Sequence, residues 1–274
     1  MYSVDSAPVI PGVAMKRFWV WLMLIALLGG LVACGGGGGD HESPAASRPL
    51  GVAGDMEGIW NGNLHSNVTG RDTGMFVIVT AGGRFELITD DCAQISASIT
   101  ASGSIFSGAG TSYTQTNCDG VNVVVTPPTP GAGTVQSIQV SGQFDGKTGT
   151  AIASYSTAND GGTIRFINFY PDYFNDPGVI LRAAGSYSIK QRLTALTVDA
   201  SGNVAFRDAT GQIFAGTLFV LDPTVDIYGM TLQVGGQSLT GLATLVDDGD
   251  GPNNDFLFVV ASGVLAYNSE LRRN

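Results

Sequence analysis

The sequence predicts an all-β protein made of two consecutive antiparallel, barrel-like halves. Charged residues make up only 13% of the 274 residues and glycine occurs 39 times, a composition that favours short strands and tight turns over helices. Beyond residue 57, short stretches alternate between apolar and polar residues or run apolar, and Gly, Asn, Asp or Ser ends each of them. Because the order of strands and turns recurs in the second half, we infer an internal duplication.

Residues 1–33 have the three zones of an export signal peptide. Lys16 and Arg17 precede an uncharged run of fifteen residues, Phe18 to Val32. A transmembrane helix needs about 20 apolar residues, and this run is shorter and ends in glycine and cysteine rather than in charges. Met15 is the expected translation start, because the segment before it contains an acidic residue and two prolines. We expect the whole zone to be removed.

The motif "LVAC", Leu31 to Cys34, resembles the lipobox of bacterial lipoproteins, in which a small residue precedes an invariant cysteine. This resemblance implies that Cys34 is diacylated at sulfur, becomes the new N-terminus and takes a further acyl chain such as palmitate. The sorting rule of such signals makes an aspartate after the cysteine a retention signal for the inner membrane. Gly35 stands there instead, which implies a lipid anchor in the outer membrane. A buried thiol, the alternative role for Cys34, would not explain the polyglycine that follows.

Residues 34–56 are predicted to be a lipidated, disordered tether. The segment "GGGGGDHESPAASRPLGVAGD" has no apolar periodicity and is rich in Gly, Ser, Pro and Ala. We interpret His41 within it as a solvated side chain. The folded part begins at about residue 57.

Two further cysteines, Cys92 and Cys118, belong to the first half. In an exported protein an even pair of cysteines predicts a disulfide, which here closes a loop of about 27 residues. The alternative is two separate thiols in neighbouring strands. A metal site is disfavoured, because the chain has no CxxC and neither cysteine has a histidine beside it.

Four pairs of segments carry the similarity between the halves. Each half has seven or eight strand-like segments, about the number that closes a small barrel. The predicted halves are residues 57–170 and 184–270, with a linker at 171–183. The pairs are "GIWNG" with "GSYSI", "MFVIVTAGGRFEL" with "LTALTVDASGNVAF", "SIFSGAGTSY" with "QIFAGTLFVL", and the segment from Val140 with that from Val234.

Two sets of aromatic residues are candidate functional positions. Trp60, in a G-x-W-x-G strand, is interpreted as a core residue that plugs one end of the first barrel rather than as a ligand platform, and Tyr187 takes the corresponding place in the second. Tyr170, Tyr173 and Phe174 lie between the halves. They form either a recognition patch or the packing of one barrel on the other, and we favour packing.

Taken together, the lipobox, the polyglycine and the two similar halves resemble a group of small bacterial lipoproteins that are mostly uncharacterised. "GIWNG" is also similar to the first strand of lipocalin-like barrels, and polyglycine after an acylated cysteine resembles the surface lipoproteins of the transferrin-binding and factor-H-binding type. The latter carry barrel-like halves that bind host proteins. These resemblances imply a location and a duplicated β-fold, and they imply no activity.

Charge and motifs argue against several functions. The net charge is −10, and it becomes −11 when residues 1–33 take away two basic and one acidic side chain, so nucleic acid is not an expected partner. His65 is the only histidine of the folded part and no G-x-S-x-G occurs, so we expect no enzyme. The acidic run Asp247 to Asp255 lacks the closing glutamate of a calcium loop and predicts a hairpin tip. We expect neither a metal nor a cofactor.

Two functions remain. The first is a non-catalytic interaction module anchored in the outer membrane, which binds a protein in the envelope or outside the cell. The second is a lipocalin-like carrier of a small apolar ligand. Bulky residues in "MFVIVT" and "DFLFVV" are expected to fill the barrels and favour the first, whereas an apolar cavity above about 300 Å³ would favour the second.

Overall fold

The computed structural model describes a chain of two closed antiparallel barrels, each of eight strands. This architecture confirms the predicted all-β fold class with two consecutive barrel-like halves. Cys34, Cys92, Cys118, Tyr173 and Phe174 lie outside the described residues, so lipid attachment and the disulfide stay predictions. The described residues are 53–91, 93–114, 134–170, 176–188, 195–207, 211, 213–246, 255–263 and 265–274.

In the first barrel each strand pairs with its neighbours along the chain, and β1 closes the ring by pairing with β8. A β-bulge between Asn61 and Gly62 shifts the register at this closing seam. A Cβ at Gly62 would lie 1.8 Å from the carbonyl oxygen of Arg165, so only glycine fits there. The strands are β1 (Gly58–Ser66), β2 (Asp72–Val79), β3 (Arg84–Thr89), β4 (Gln94–Ser102), β5 (Ile105–Tyr113), β6 (Val135–Asp145), β7 (Thr150–Ser156) and β8 (Gly161–Phe169).

The second barrel has the same meander, and its first strand pairs with both the second and the last. A one-turn helix, α1 (Ile180–Ala183), precedes it. Closure places Arg273 opposite Tyr187 at the seam. The strands are β9 (Gly185–Ser188), β10 (Ala195–Val198), β11 (Asn203–Arg207), β12 (Ile213–Val220), β13 (Ile227–Val234), β14 (Gln237–Val246), β15 (Asp255–Ala261) and β16 (Ala266–Arg273).

Apolar side chains fill the interiors of both barrels because successive residues of a strand point to opposite faces. In β7, Ala151, Ala153 and Tyr155 are buried, whereas Ile152 and Ser154 between them are exposed. The segments expected to supply bulky fillers do so in both barrels. The inward residues of these two segments are Met75, Val77 and Val79 in the first barrel and Phe256, Phe258 and Val260 in the second.

Short helical segments cover one end of each barrel, and this corrects two predicted boundaries. Residues 54–56 form a 3-10 helix, and Ala53 and Met56 belong to the core of the first barrel. The end of the predicted tether, residues 34–56, is therefore part of the fold. Likewise α1 lies inside the predicted linker 171–183, and Ala183 is buried in the core of the second barrel. Apolar contacts with strands distant in the sequence, which composition does not reveal, hold both segments in place.

The two barrels pack against each other through their outer faces. An apolar cluster joins β1 and β2 of the first barrel to β13, β14 and β15 of the second. Every residue of β15 is buried, because one of its faces lines the barrel and the other contacts the neighbouring barrel. The buried members of the cluster are Ile59, Ile78, Val225, Ile227, Leu242, Val246 and Leu257.

Polar contacts flank this apolar cluster. Arg84 donates from Nη2 to the carbonyl oxygen of Thr240 at 2.7 Å. Gln94, which is fully buried, donates to the carbonyl oxygen of Val260 at 3.2 Å and accepts a hydrogen bond from Asn268 at 3.0 Å. Hydrogen bonds of this kind fix the register of one barrel on the other, because a buried amide that loses its partner is costly.

Two of the four predicted pairs of similar segments join strands of different rank. In these two pairs, the segment of the first half lies one strand later in its barrel than the segment of the second half. The pairs that start at Gly58 and Met75 match strands of equal rank. In contrast, "SIFSGAGTSY" is β5, whereas "QIFAGTLFVL" is β12, the fourth strand of its barrel, and the segments from Val140 and Val234 are displaced in the same way. The acidic run that begins at Asp247 therefore corresponds to the β6–β7 turn and not to "STANDGG". A slip of one strand leaves the alternating pattern intact, so the pattern could not detect it.

Candidate functional site

Trp60 closes one end of the first barrel. Its side chain is 2% exposed, and its indole Nε1 donates to the carbonyl oxygen of Met56 at 3.1 Å. The ring centroids of Phe144, Phe166 and Phe169 lie 6.0, 6.1 and 5.0 Å from that of Trp60. A ring with no free face packs an end of the barrel and offers no surface to a ligand.

Tyr187 takes the equivalent position in the second barrel. Its hydroxyl donates to the carbonyl oxygen of Ala183 at 2.7 Å, which repeats the bond of Trp60 to its preceding helix. The guanidinium carbon of Arg273 lies 5.4 Å from the ring centroid, and Nη2 donates to the Tyr187 hydroxyl at 2.9 Å and to the carbonyl oxygen of Arg182. Burial raises the pKa of Tyr187. Arg273 was not identified from the sequence.

A buried carboxyl group lies near this closed end. Asp226 is fully buried, and burial raises its pKa to about 6 despite the nearby Arg182 guanidinium. Tyr228, next but one along the chain, donates to the carbonyl oxygen of Val179 at 3.2 Å, and burial raises its pKa as well. This cluster lies inside the closed end and is not reachable from solvent.

Tyr170 lies at the edge of the interface between the barrels. It is a half-buried member of the apolar cluster there, and its ring stacks on Phe76 with centroids 6.4 Å apart. Asn61 donates from Nδ2 to its hydroxyl. Of the three aromatic residues that were predicted to pack or to recognise a partner, the structure describes this one only, and it packs.

The residues considered for catalysis or metal binding do not assemble into a site. His65 lies on the outer face of β1, where its Nδ1 is 3.0 Å from Oδ1 of Asp72. Among the described residues no cluster of three or more His, Cys, Asp or Glu could hold a metal ion. Of the acidic run that begins at Asp247, only Asp255 is described, and it is buried at the start of β15.

The end of the first barrel away from Trp60 contains a half-enclosed cavity of about 240 Å³. Its floor consists of aliphatic side chains, among them Leu64, Leu87 and Ile95. The side chains above this floor are polar, and most carry hydroxyl groups. The polar lining comprises Ser66, Thr69, Thr73, Thr89, Ser112, Thr114, Gln136, Tyr155 and Thr157, with Arg71, Asp91 and Asp160 at the rim.

One wall of this cavity is held by a hydrogen-bond network. The Tyr155 hydroxyl donates to Oδ2 of Asp160 at 2.9 Å, and the backbone N–H of Gly161 donates to Oδ1 at 2.7 Å. Burial and the neighbouring carboxylate raise the pKa of Tyr155. Although partial burial opposes it, hydrogen bonds from Ser66, Tyr155 and the backbone lower the pKa of Asp160. This carboxylate is therefore ionised at neutral pH.

The outside of the first barrel carries a groove of about 790 Å³ along the β6–β7 hairpin and β8. A row of paired residues crosses the outer face next to it: Ile105 pairs with Gln143, Gln143 with Ile152, and Ile152 with Arg165. Ile105 and Ile152 are 63% and 50% exposed. Apolar side chains that point outward from a closed barrel contribute nothing to its own core, so this row is a candidate contact surface.

Positive charge lies in the same groove. Lys147 and Arg165 both line it, and neither forms an ion pair within the described part of the chain. Asp145 also lines the groove, and its side chain accepts the backbone N–H of Lys147 at 2.9 Å. The groove therefore combines exposed isoleucines with two cations on a protein whose net charge is −10.

A third feature is the buried carboxyl of Glu86 between the barrels. Glu86 is 0% exposed; its Oε1 accepts hydrogen bonds from Nε of Arg84 at 2.8 Å and from the Ser96 hydroxyl at 3.0 Å. Oε2 has no hydrogen-bond partner among the described residues. Burial raises the pKa of Glu86 to about 7, although the Arg84 guanidinium opposes the rise.

Comparison of the chain with protein-family models, with curated proteins and with solved structures gives no match. Within the described ranges, no helix has the length and the apolar character needed to cross a membrane. Function is therefore inferred from the chemistry of the described surfaces.

Proposed function

We propose that this protein is a lipid-anchored, non-catalytic interaction module of the bacterial outer membrane, and that the outer groove of the first barrel binds its protein partner. The anchor is Cys34, on the grounds of the "LVAC" motif and the polyglycine after it. The single observation that carries the interaction role is the groove of about 790 Å³ with its exposed isoleucines.

The packed interiors favour this role over carriage of an apolar ligand. Aromatic side chains occupy the described interior of the second barrel, where the ring centroids of Phe206, Phe214 and Tyr267 lie 4.9 to 5.6 Å apart. In the first barrel the cavity of about 240 Å³ is smaller than the pockets of roughly 300 Å³ or more that hold drug-sized apolar ligands, and most of its lining is polar. A small apolar ligand would leave those polar groups without partners.

The groove also suggests the chemistry of the partner. A closed barrel has no free strand edge, so a partner must bind through side chains and not by adding a strand. Ile152 and Ile167 offer apolar contacts, and Lys147 and Arg165 offer positive charge beside them. We expect a protein segment with apolar and acidic side chains, whose charge complements the groove and speeds association.

Photocrosslinking in cells tests this function. p-Benzoylphenylalanine is placed at Ile152 in the full-length chain, and as a matched control at Ile213, an exposed isoleucine on the outer face of the second barrel. We expect an ultraviolet-dependent adduct of one discrete mass from Ile152 only, and we expect Arg165→Glu and Lys147→Glu to weaken it. The same adducts from both positions, or no dependence on the two cations, would contradict the proposal.

A further inference from the structure

The interaction surface proposed above lies on the outside of the first barrel, and the polar cavity inside that barrel has no part in it. Its floor is aliphatic, its upper walls carry hydroxyl and amide groups, and its rim carries one guanidinium and two carboxylates. We propose that this cavity binds a small, neutral, hydroxylated ligand of monosaccharide size. The site lies inside the barrel and away from the outer groove, so failure of one proposal does not decide the other.

The side-chain amide of Gln136 favours a ligand that carries hydrogen-bond donors. Its Nε2 donates to the Thr134 hydroxyl at 3.0 Å. Its Oε1 is buried and has no hydrogen-bond partner among the described residues. Gln136 also lines the cavity, and a buried carbonyl oxygen without a donor is costly, so a ligand whose O–H or N–H reaches it gains a hydrogen bond.

Two hydroxyl groups in the wall of the cavity also favour a hydroxylated ligand. Thr73 and Ser112 line the cavity, and neither side chain makes a hydrogen bond within the described residues. A hydroxyl group both donates and accepts, so several of them in one wall suit a ligand that is itself hydroxylated. In contrast, the hydroxyls of Thr89 and Thr157 already bond to the backbone, and Tyr155 already donates to Asp160. Ser112 is the register partner of Gln136 on the neighbouring strand, whereas Thr73 lies on β2 across the barrel, so the unbonded groups face the cavity from two sides.

The charges at the rim argue for a neutral ligand. Arg71 would attract an anion, but Asp91 and Asp160 stand at the same rim and would repel it. A cation would meet the opposite conflict at Arg71. A neutral ligand avoids both costs, and it can still accept a hydrogen bond from the guanidinium and donate to a carboxylate.

Size and shape limit the ligand further. A water molecule takes about 30 Å³ in the liquid, so a cavity of about 240 Å³ holds roughly eight waters or one molecule of about ten non-hydrogen atoms. Leu64, Leu87 and Ile95 offer an apolar floor for the C–H groups of a ring, while the polar walls face its hydroxyls. A pyranose matches both the volume and this division into an apolar and a polar side.

The test uses the full-length chain in a polyoxyethylene detergent, which has no sugar headgroup. The probes are D-xylose and tetrahydropyran, which share a six-membered ring and differ in their hydroxyl groups. Saturation-transfer difference NMR reports binding of each. The variants are Gln136→Leu, inside the barrel, and Gln139→Leu, the same change on the outer face of the same strand.

We expect D-xylose to bind saturably, in the millimolar range, to the wild type and to Gln139→Leu. We expect about tenfold weaker binding to Gln136→Leu, because one hydrogen bond to a buried acceptor is lost. Tetrahydropyran binding as tightly as D-xylose would overturn the proposal, since the hydroxyls would then play no part. Absence of saturable binding of D-xylose would overturn it too, because the cavity would then hold water only.

Discussion

Glu86 is a carboxyl group whose protonation is changed by its burial between the two barrels. It lies on the outer face of β3, where a barrel normally contacts water, yet it is 0% exposed because the second barrel covers it. Arg84 forms an ion pair with it, and Arg84 also bonds to the second barrel at Thr240. Burial of a carboxyl group with one oxygen unpartnered favours its protonated form.

The raised pKa predicts that Glu86 makes the folded state less stable as the pH rises. The pKa is about 7 when folded and 4.5 when unfolded, so the folded chain binds this proton more tightly. The stabilisation is fully present below pH 4.5 and is lost as the pH rises through about 7. We expect Glu86→Gln, which cannot ionise, to gain on the order of 3 kcal/mol relative to wild type between pH 4 and pH 8.

Urea unfolding at both pH values, followed by the fluorescence of Trp60, measures this difference. Asp55→Asn is the control, because Asp55 is an exposed carboxyl in the 3-10 helix that precedes β1. Its difference from wild type should change little with pH. If the difference between Glu86→Gln and wild type were the same at both pH values, Glu86 would not have the raised pKa.

At the scale of elements, both barrels are closed by the same arrangement. A short helix precedes the first strand, and an aromatic side chain of that strand bonds back to the helix, Trp60 to Met56 and Tyr187 to Ala183. The second barrel adds Arg273 from its last strand, which contacts both the aromatic ring and the helix. The arrangement ties the first and last elements of a barrel together.

Arg273→Met should therefore destabilise the second barrel. Methionine keeps much of the apolar length but loses the hydrogen bonds to Tyr187 and Arg182 and the contact with the ring. We expect a loss of about 2 kcal/mol in the free energy of unfolding, since hydrogen bonds from a charged group are involved. Circular dichroism during urea unfolding measures it. Arg207→Met, at an exposed strand end, is the control, and an equal loss in the control would contradict the role of Arg273.

At the scale of the whole molecule, the cluster between the barrels should make them unfold together. Buried apolar side chains of both barrels form it, and Arg84, Gln94 and Asn268 add hydrogen bonds. Trp60 is the only tryptophan after residue 33, so its fluorescence reports the first barrel alone. We expect Arg273→Met, in the second barrel, to lower the midpoint that Trp60 reports.

A variant of the cluster itself provides the control for this coupling. Leu242→Asp places a charge among the apolar residues of the interface and should separate the fluorescence and circular dichroism transitions. An unchanged Trp60 midpoint in Arg273→Met, together with an earlier transition by circular dichroism, would show that the barrels unfold independently.

The proposed anchor predicts a change of location. Cys34→Ser should leave the signal uncleaved or release the protein into the periplasm, because two or three acyl chains provide the membrane affinity. Membrane fractionation and detergent partitioning measure the outcome. Unchanged outer-membrane fractionation of this variant would refute lipid attachment at Cys34.

The proposed disulfide predicts that Cys92 and Cys118 are bridged in the exported protein. Closure of a loop of about 27 residues should stabilise the fold by roughly 3.5 kcal/mol in the chain-entropy description. Peptide mapping without reduction detects the bridge. Free alkylation of both thiols in the native, unreduced protein would rule it out.

The sequence by itself determined where strands form. Alternation of apolar and polar residues and the turn residues between them are local, so β2, β3, β4, β6 and β7 could be recognised without knowledge of any partner. β16 was missed, and the second half was ended at residue 270. Its inward positions include Ser269 and Arg273, and the arginine is stabilised there by Tyr187 and by the carbonyl oxygen of Arg182.

Only the tertiary structure decided which outer faces are buried and which surfaces are left for binding. Ile78 and Ile152 are both outward-facing isoleucines of strands, and nothing local distinguishes them. The first is buried against the second barrel, and the second is half exposed in a groove. In the same way Glu86 is buried because a strand of the second barrel, far away in the chain, packs against its own strand. The physical reason is that burial depends on non-local packing, whereas the alternation of a strand depends only on its own backbone.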